Sequence, residues 1–242
     1  MDPNKDIIKF LLDLIFPSKP YCFLCNRKLD RASIYICQTC IDNIMPLSGP
    51  FCKKCGKPLS IEKHVKNNFC IDCQIERHVF VQARSYGRYE GNLKKIINEY
   101  KYHGKRQLAE VLGAKMYELL IVLPWPQIDF LVPMPLHIRR LRERGFNQAY
   151  FLADILAERS GIPLFTGLER IKPTEHQTLL DKASRKKNLY GAFRVKNPSK
   201  ILDKTLILVD DVYTTGTTAG ESSKTLLNSG ARAVYVLTCA RG

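Results

Sequence analysis

Eight of the nine cysteines fall between residues 22 and 73 as four C-x-x-C pairs: Cys22/Cys25, Cys37/Cys40, Cys52/Cys55 and Cys70/Cys73. A tight C-x-x-C turn aims two thiolates at one point about 2.3 Å from each sulfur, which is what tetrahedral zinc needs. Two pairs complete one site, so four pairs supply two structural zinc sites. Four thiolates leave no open position for water or substrate, which argues against a catalytic metal. Sequential pairing is the simplest arrangement, and a cross-braced one stays open. His64 and His78 lie nearby and could replace a cysteine, but with eight cysteines in hand both read as exposed loop residues. Asn26 after Cys25 and Gly56 after Cys55 suit the left-handed conformation that closes such a turn. Reduced zinc thiolates point to the cytoplasm. Cys239 stands apart in the apolar run 234–240 and reads as a buried, inert thiol.

A second stretch carries a different chemistry. Leu206-Ile207-Leu208-Val209 is an apolar run. Asp210 and Asp211 follow, and then Val212-Tyr213-Thr214-Thr215-Gly216-Thr217-Thr218. Parallel sheets bind ligands outside the C-terminal ends of their strands. Two carboxylates placed there accept hydrogen bonds from a sugar diol or meet a hydrated magnesium ion. The turn 214–218 would present backbone N–H groups and hydroxyls at a helix N-terminus, where a phosphate is favoured. Thr218 and Glu221 also have capping-box spacing, so helix capping explains part of the threonine content. Neither a Walker A loop nor G-x-G-x-x-G is present.

The elements that must position these groups can be read from periodicity. Strands are expected at 80–89, 128–133, 163–171, 205–209 and 231–240. Helices are expected at 92–102, 106–123, 146–160 and 217–229, with Gly161 and Gly230 as stops. Residues 172–189 are polar and basic and read as a long exposed loop. Alternating strands and helices argue for a parallel α/β sheet. At the N-terminus Ile7, Ile8, Leu11, Leu12, Leu14 and Ile15 form one helical stripe, expected as a short docking helix, with a membrane-surface helix as the alternative. Asp6, Lys9 and Asp13 interrupt it, which argues against a signal peptide. The 242 residues are 45% apolar and 25% charged, the balance of a globular chain. No apolar run approaches the roughly 20 residues that span a bilayer. The formal charge of +15 calls for an anionic partner. Residues 81–242 hold 26 of the 38 Lys+Arg and 15 of the 23 Asp+Glu, so most of the excess lies beyond the cysteine region.

Residues 206–218 resemble the signature of type I phosphoribosyltransferases, which bind 5-phosphoribosyl-1-pyrophosphate (PRPP). The resemblance implies that Asp210 and Asp211 face the ribose hydroxyls, with Mg²⁺ accompanying PRPP. It implies that Thr214, Thr215, Gly216, Thr217 and Thr218 hold the 5′-phosphate. Val132, Pro133, Met134 and Pro135 stand where that family places its pyrophosphate loop. Arg139, Arg140, Arg142 and Arg144 could neutralise pyrophosphate or a DNA backbone through bidentate contacts, or form a solvated helix face. The loop 172–189, with Gln177, Arg185, Lys186 and Lys187, occupies the place of the family's flexible loop, or is a connector without a role.

Taken together, the N-terminal helix, the cysteine pairs, the arginine-rich segment and the terminal signature are similar to the ComF family of competence proteins over nearly the whole chain. That resemblance implies an α/β fold of the type I phosphoribosyltransferase kind with a parallel sheet, preceded by a small zinc-ribbon module. The implied organisation is an N-terminal helix over 1–20, a double zinc ribbon over 21–78 and a phosphoribosyltransferase-like domain over 79–242. It also implies a part in DNA uptake during natural transformation, with single-stranded DNA and a helicase-type competence ATPase as partners in the cytoplasm. Lysines 94, 95, 101, 105, 186 and 187 could follow a phosphate backbone, and Tyr86, Tyr89, Tyr100, Tyr102 and Phe146 could stack bases. Two alternatives stay open. One is an active phosphoribosyltransferase whose unidentified acceptor sits on a hood drawn from 80–125. The other is a zinc-ribbon adaptor with a relic PRPP site. Glutamine-PRPP amidotransferase shares the signature but needs an N-terminal glutaminase domain, where this chain has zinc pairs.

Overall fold

The computed structural model describes residues 21–29, 35–59, 67–102, 105–172 and 189–242. The stripe at 5–16, His64 and the loop residues Gln177, Arg185, Lys186 and Lys187 lie outside them. The chain forms two compact units, Met1–Ile44 and Met45–Gly242.

In the first unit the turn after Cys22 closes as its sequence predicts. Asn26 takes φ +58, and the Cys22 N–H donates to the Arg27 carbonyl at 2.7 Å. Cys37 then caps a single helical turn, α1 (Gln38–Asp42), which buries Cys40.

The second unit opens with its own cysteine turn at 52–57 and a matching short helix, α2 (Ile71–Ile75). Strand β1 (Ala83–Arg88) follows, then α3 (Gly91–Tyr102) and α4 (Leu108–Leu120). After them come β2 (Phe130–Pro133), α5 (Ile138–Arg144) and α6 (Gln148–Ser160). A small antiparallel pair, β3 (Leu168–Arg170) and β4 (Phe193–Val195), precedes β5 (Thr205–Tyr213), α7 (Thr217–Asn228) and β6 (Ala233–Arg241).

The main sheet has the order β1-β6-β5-β2, and all its pairs are parallel. Its central strands explain their own sequence. Leu206, Ile207, Leu208 and Val209 are completely buried, because a parallel sheet is covered on both faces and needs apolar residues at every position. Each such side chain contributes on the order of 1.5–3 kcal/mol on burial. Alternation along the strand sends successive residues to opposite faces. Leu206 and Leu208 share a core with Ala219 and Leu226 of α7, while on β6 Cys239 reaches Met116 of α4. Helix α4 also packs on α6, where Gly113 leaves the space that Ile155 fills. Cys239 is the buried thiol its apolar setting predicts, and burial pushes its pKa well up.

Three expectations need correction. The strand before the acid pair does not stop at 209 but runs to Tyr213, so both acids belong to its last turn of pleat. The segment 163–171 is not one strand: Leu164 makes an isolated bridge to Leu131, and only Leu168–Arg170 pairs further, with Phe193–Val195. The Thr218–Glu221 spacing forms no capping box. Gly216 is the N-cap of α7, in the left-handed conformation, and no side chain caps it.

Candidate functional site

A cavity of about 300 Å³ opens at the C-terminal ends of β2, β5 and β6. Its floor is the acid pair at the end of β5, and Thr214, Gly216 and Thr218 rise beside it. The residues after β2, Met134 and Pro135, form part of the wall. Chain segments far apart in sequence meet here because parallel strands end on one edge, where the following turns converge.

The turn has a definite construction. Gly216 stands at φ +79, and a Cβ there would run into the Tyr213 hydroxyl and lie 2.7 Å from its Cζ. Only glycine fits at this position. The Thr215 and Thr217 hydroxyls are 2.8 Å apart, and the Thr217 N–H donates to Thr215 Oγ1. Thr215 and Thr217, expected to hold the phosphate, bond to each other and do not line the cavity; Thr214, Gly216 and Thr218 border it at the N-terminus of a 12-residue helix, an arrangement that favours an anion.

Charges face one another across the space. Lys101, from the end of α3, places Nζ 2.9 Å from Asp211 Oδ1, with both side chains more than four-fifths buried. Burial alone would depress the lysine's pKa, but Asp211 and then Asp210 hold it above its ordinary value. The Asp210 carboxylate accepts the Asp211 N–H at 2.9 Å. Burial, and then the like charge of Asp211, push its pKa up to about 7. Arg140 and Arg144 from α5 and Arg170 from β3 complete the walls. Arg170 is buried; burial first, and then Arg140, lower its pKa to about 10, and it stays a cation.

Of the residues expected here, Met134, Pro135, Arg140, Arg144, Asp210, Asp211, Thr214, Gly216 and Thr218 all border the cavity. Val132 and Pro133 lie buried in β2 behind it. Arg139 and Arg142 project from the exposed face of α5, and Arg139 pairs with Glu143 at 3.3 Å. Of the aromatics, Tyr86, Tyr100 and Phe146 are core residues at 7%, 0% and 4% exposure and present no face to a base. Tyr89 and the exposed Tyr102 do line the cavity, and Arg144 lies over the Tyr102 ring at 5.3 Å. Sequence reasoning missed Arg170 altogether and gave Lys101 a place along a DNA backbone, whereas it pairs with Asp211 inside the cavity. No local signal marks either one: each gains its place only from the folding of α3 or β3 against the sheet edge.

The cysteines gather into two groups, Cys22–Cys25–Cys37–Cys40 and Cys52–Cys55–Cys70–Cys73, each with its sulfurs within 4.8 Å of one another. This is the sequential pairing. Cys25 and Cys37 sulfurs are 3.5 Å apart, and Cys55 and Cys70 sulfurs 3.6 Å. Four sulfurs about 2.3 Å from one tetrahedral centre would stand about 3.8 Å apart, so both groups fit zinc. The crowded thiols share charge unevenly. Hydrogen bonds from Cys55, then Cys73, hold Cys52 far down, and the Cys52 and Cys55 contacts push Cys73 far up. A divalent cation resolves that conflict by stabilising all four as thiolates. His78 is not among the sulfurs; it stacks on Phe80, ring centres 4.9 Å apart.

Among the described residues no helix is long and apolar enough to cross a membrane. A double zinc ribbon domain family matches residues 11–74. Competence protein ComFC of Bacillus subtilis is 29% identical over 236 residues, which cover 94% of this chain and 86% of that protein. DNA utilization protein YhgH of Escherichia coli K12 is 29% identical, covering 89% of this chain and 94% of its own. Competence protein F of Haemophilus influenzae is 28% identical, covering 91% and 96%. Among solved structures, glutamine PRPP amidotransferase from B. subtilis, complexed with ADP and GMP, aligns with 58% of this chain and 30% of its own at 19% identity and a TM-score of 0.40. Two cysteine clusters fit for zinc and a parallel α/β sheet thus go with a likeness to these competence and DNA-utilization proteins that spans about nine-tenths of the chain, and the chain resembles the ComF family over that length.

Proposed function

We propose that the chain binds PRPP with magnesium in the cavity and serves DNA uptake, handling single-stranded DNA in the cytoplasm beside a helicase-type ATPase. The observation that carries the PRPP reading is the sorting of charge within one cavity. An acid pair sits on one side of it, a phosphate-type turn at the N-terminus of α7 adjoins the pair, and Arg140, Arg144 and Arg170 stand on the walls. A sugar diol suits the acids, a 5′-phosphate the turn and a pyrophosphate the arginines. Magnesium, when bound with PRPP, neutralises phosphate charge. This chain's part is to accept the ribose hydroxyls at Asp210 and Asp211 and to hold the two phosphate ends apart. The DNA part rests on the relatives named for competence and DNA utilization and on the positive charge beyond the cysteine region.

Calorimetry with PRPP, with and without Mg²⁺, tests the reading on the parent and on Asp210→Asn/Asp211→Asn. The parent should bind and the double variant should bind far more weakly; equal affinity would remove the basis of the proposal.

An active transferase is the second reading, and Tyr102 favours it. Its exposed ring on the cavity rim, backed by Arg144, offers a face to a planar acceptor. The acceptor's nucleophile would form a bond to the ribosyl carbon as the bond to pyrophosphate breaks, and pyrophosphate would leave with the electron pair. Pyrophosphate release from PRPP against bases, nucleotides and DNA ends distinguishes turnover from binding alone. A relic site in a zinc-ribbon adaptor would bind no PRPP at all.

A further inference from the structure

Within its unit the second cysteine cluster is continuous with the sheet. Cys52, Cys55, Cys70 and Cys73 share one buried core with Leu206, Leu208 and Val236. The turn at 52–57 is docked on the strand side: the Ala83 N–H donates to the Lys54 carbonyl at 2.7 Å, and Gln82 Nε2 to the Lys53 carbonyl at 3.0 Å. Gly56, at φ +69, comes so close that a Cβ would stand 2.7 Å from the Ala83 carbonyl oxygen.

From Cys55 a chain of contacts leads to the floor of the cavity. Arg241, at the end of β6, donates Nη1 to the Cys55 carbonyl at 3.0 Å and Nη2 to Cys55 Sγ at 3.4 Å. The same guanidinium lies over the Tyr213 ring, 4.7 Å from its centre. Tyr213 is buried, and its hydroxyl end fills the space under Gly216 that a side chain there would need. Phe80 meets the Tyr213 ring edge-on at 6.3 Å, and His78, stacked on Phe80, reaches the same glycine from outside.

We propose that the second cysteine centre acts as the support of the 214–217 turn, with Arg241 as the positioning residue that transmits it. The proposal rests on reading that turn as phosphate-binding. A metal-bound thiolate is a fixed, negatively charged acceptor, so it aims the guanidinium through a charge-assisted N–H···S bond. The aimed guanidinium then holds the tyrosine ring by cation–π attraction. Tyr213 in turn fixes the turn that brings Thr214, Gly216 and Thr218 to the cavity. Partners of this outer kind carry a tenfold to hundredfold effect at metal sites, on the order expected here.

The test uses the full chain with Arg241→Met, which keeps an aliphatic stem and loses the fork, and Arg241→Lys, which keeps the charge. Three quantities are read: zinc per chain by elemental analysis, amide hydrogen exchange over 214–220, and PRPP affinity by calorimetry. Arg241→Met should speed exchange over 214–220 and weaken PRPP on the order of tenfold, and Arg241→Lys should recover part of both. Cys22→Ser/Cys25→Ser, in the other centre, should leave exchange and affinity at parent values. Parent exchange over 214–220 in Arg241→Met, whatever its zinc content, overturns the proposal. Faster exchange in a chain whose parent form binds no PRPP upholds the support and removes only the ligand reading.

Discussion

A methyl group on Gly216 would meet the Tyr213 ring in a backbone conformation that already costs an L-residue roughly 1–2 kcal/mol. Gly216→Ala therefore strains the turn twice, and relief by moving Tyr213 disturbs the buried contact with Arg241. The expected outcome is a lower melting temperature together with weaker PRPP binding, read by calorimetry on the same preparation. An unchanged affinity would mean that the turn does not hold the ligand. Asp210 gives a pH dependence whose sign follows from its raised pKa. In the folded, ligand-free chain its proton is held to about pH 7, whereas in the unfolded chain it leaves near pH 4. Between those values the folded state binds more protons, so this group's contribution to stability is full below about pH 4 and is lost as pH rises through about 7. Urea midpoints at pH 5 and 7.5 should fall in that order for the parent and differ less for Asp210→Asn. Lys101 tempers the effect because its positive charge lies near Asp210 and draws that pKa down, and Lys101→Met should steepen the fall.

Helix α5 has two faces with different work. Arg140 and Arg144, one turn apart, border the cavity, whereas Arg139 and Arg142 point to solvent. Replacing Arg140 and Arg144 by Ala should weaken PRPP. Replacing Arg139 and Arg142 should leave PRPP binding alone and, if DNA follows the exposed face, lower the slope of log affinity against log salt for single strands by roughly 1.4 in total. Equal slopes would exclude that face as the DNA path. The same helix shows where sequence reading stops. β5 and α7 were legible because Leu206–Val209 must be apolar on both faces and because glycine and hydroxyl residues mark the turn that follows. The C-x-x-C spacings were legible because metal geometry acts within a few residues. Which arginines of 139–144 face the ligand was not legible, since that depends on how α5 leans against the sheet edge. Lys101 meets Asp211 across more than a hundred residues, and Arg170 enters by a three-residue strand whose partner, β4, lies beyond the basic loop. Contacts of that range leave no local period.

At the scale of the molecule, the two zinc-fitting clusters have different surroundings although their sequences look alike. The first lies in the compact unit Met1–Ile44, and the second lies in the unit Met45–Gly242 that contains the whole parallel sheet. Metal binding free energy is folding free energy where the site forms only in the folded state. Loss of metal from the second cluster should therefore cost the sheet its stability, because Cys52, Cys55 and Cys70 are core residues packed with Leu206 and Val236. Loss of metal from the first should not. A titration with a zinc chelator, followed by metal release and by thermal unfolding of the sheet, separates the two. In Cys22→Ser/Cys25→Ser the chain should release one zinc less and unfold at nearly the parent temperature. In Cys52→Ser/Cys55→Ser the main unfolding transition should shift down by many degrees, since an uncompensated buried thiol cluster and the freed Arg241 both weigh on the same core. A parent-like transition in Cys52→Ser/Cys55→Ser would mean that metal at the second cluster adds little to the stability of the core it shares with the sheet.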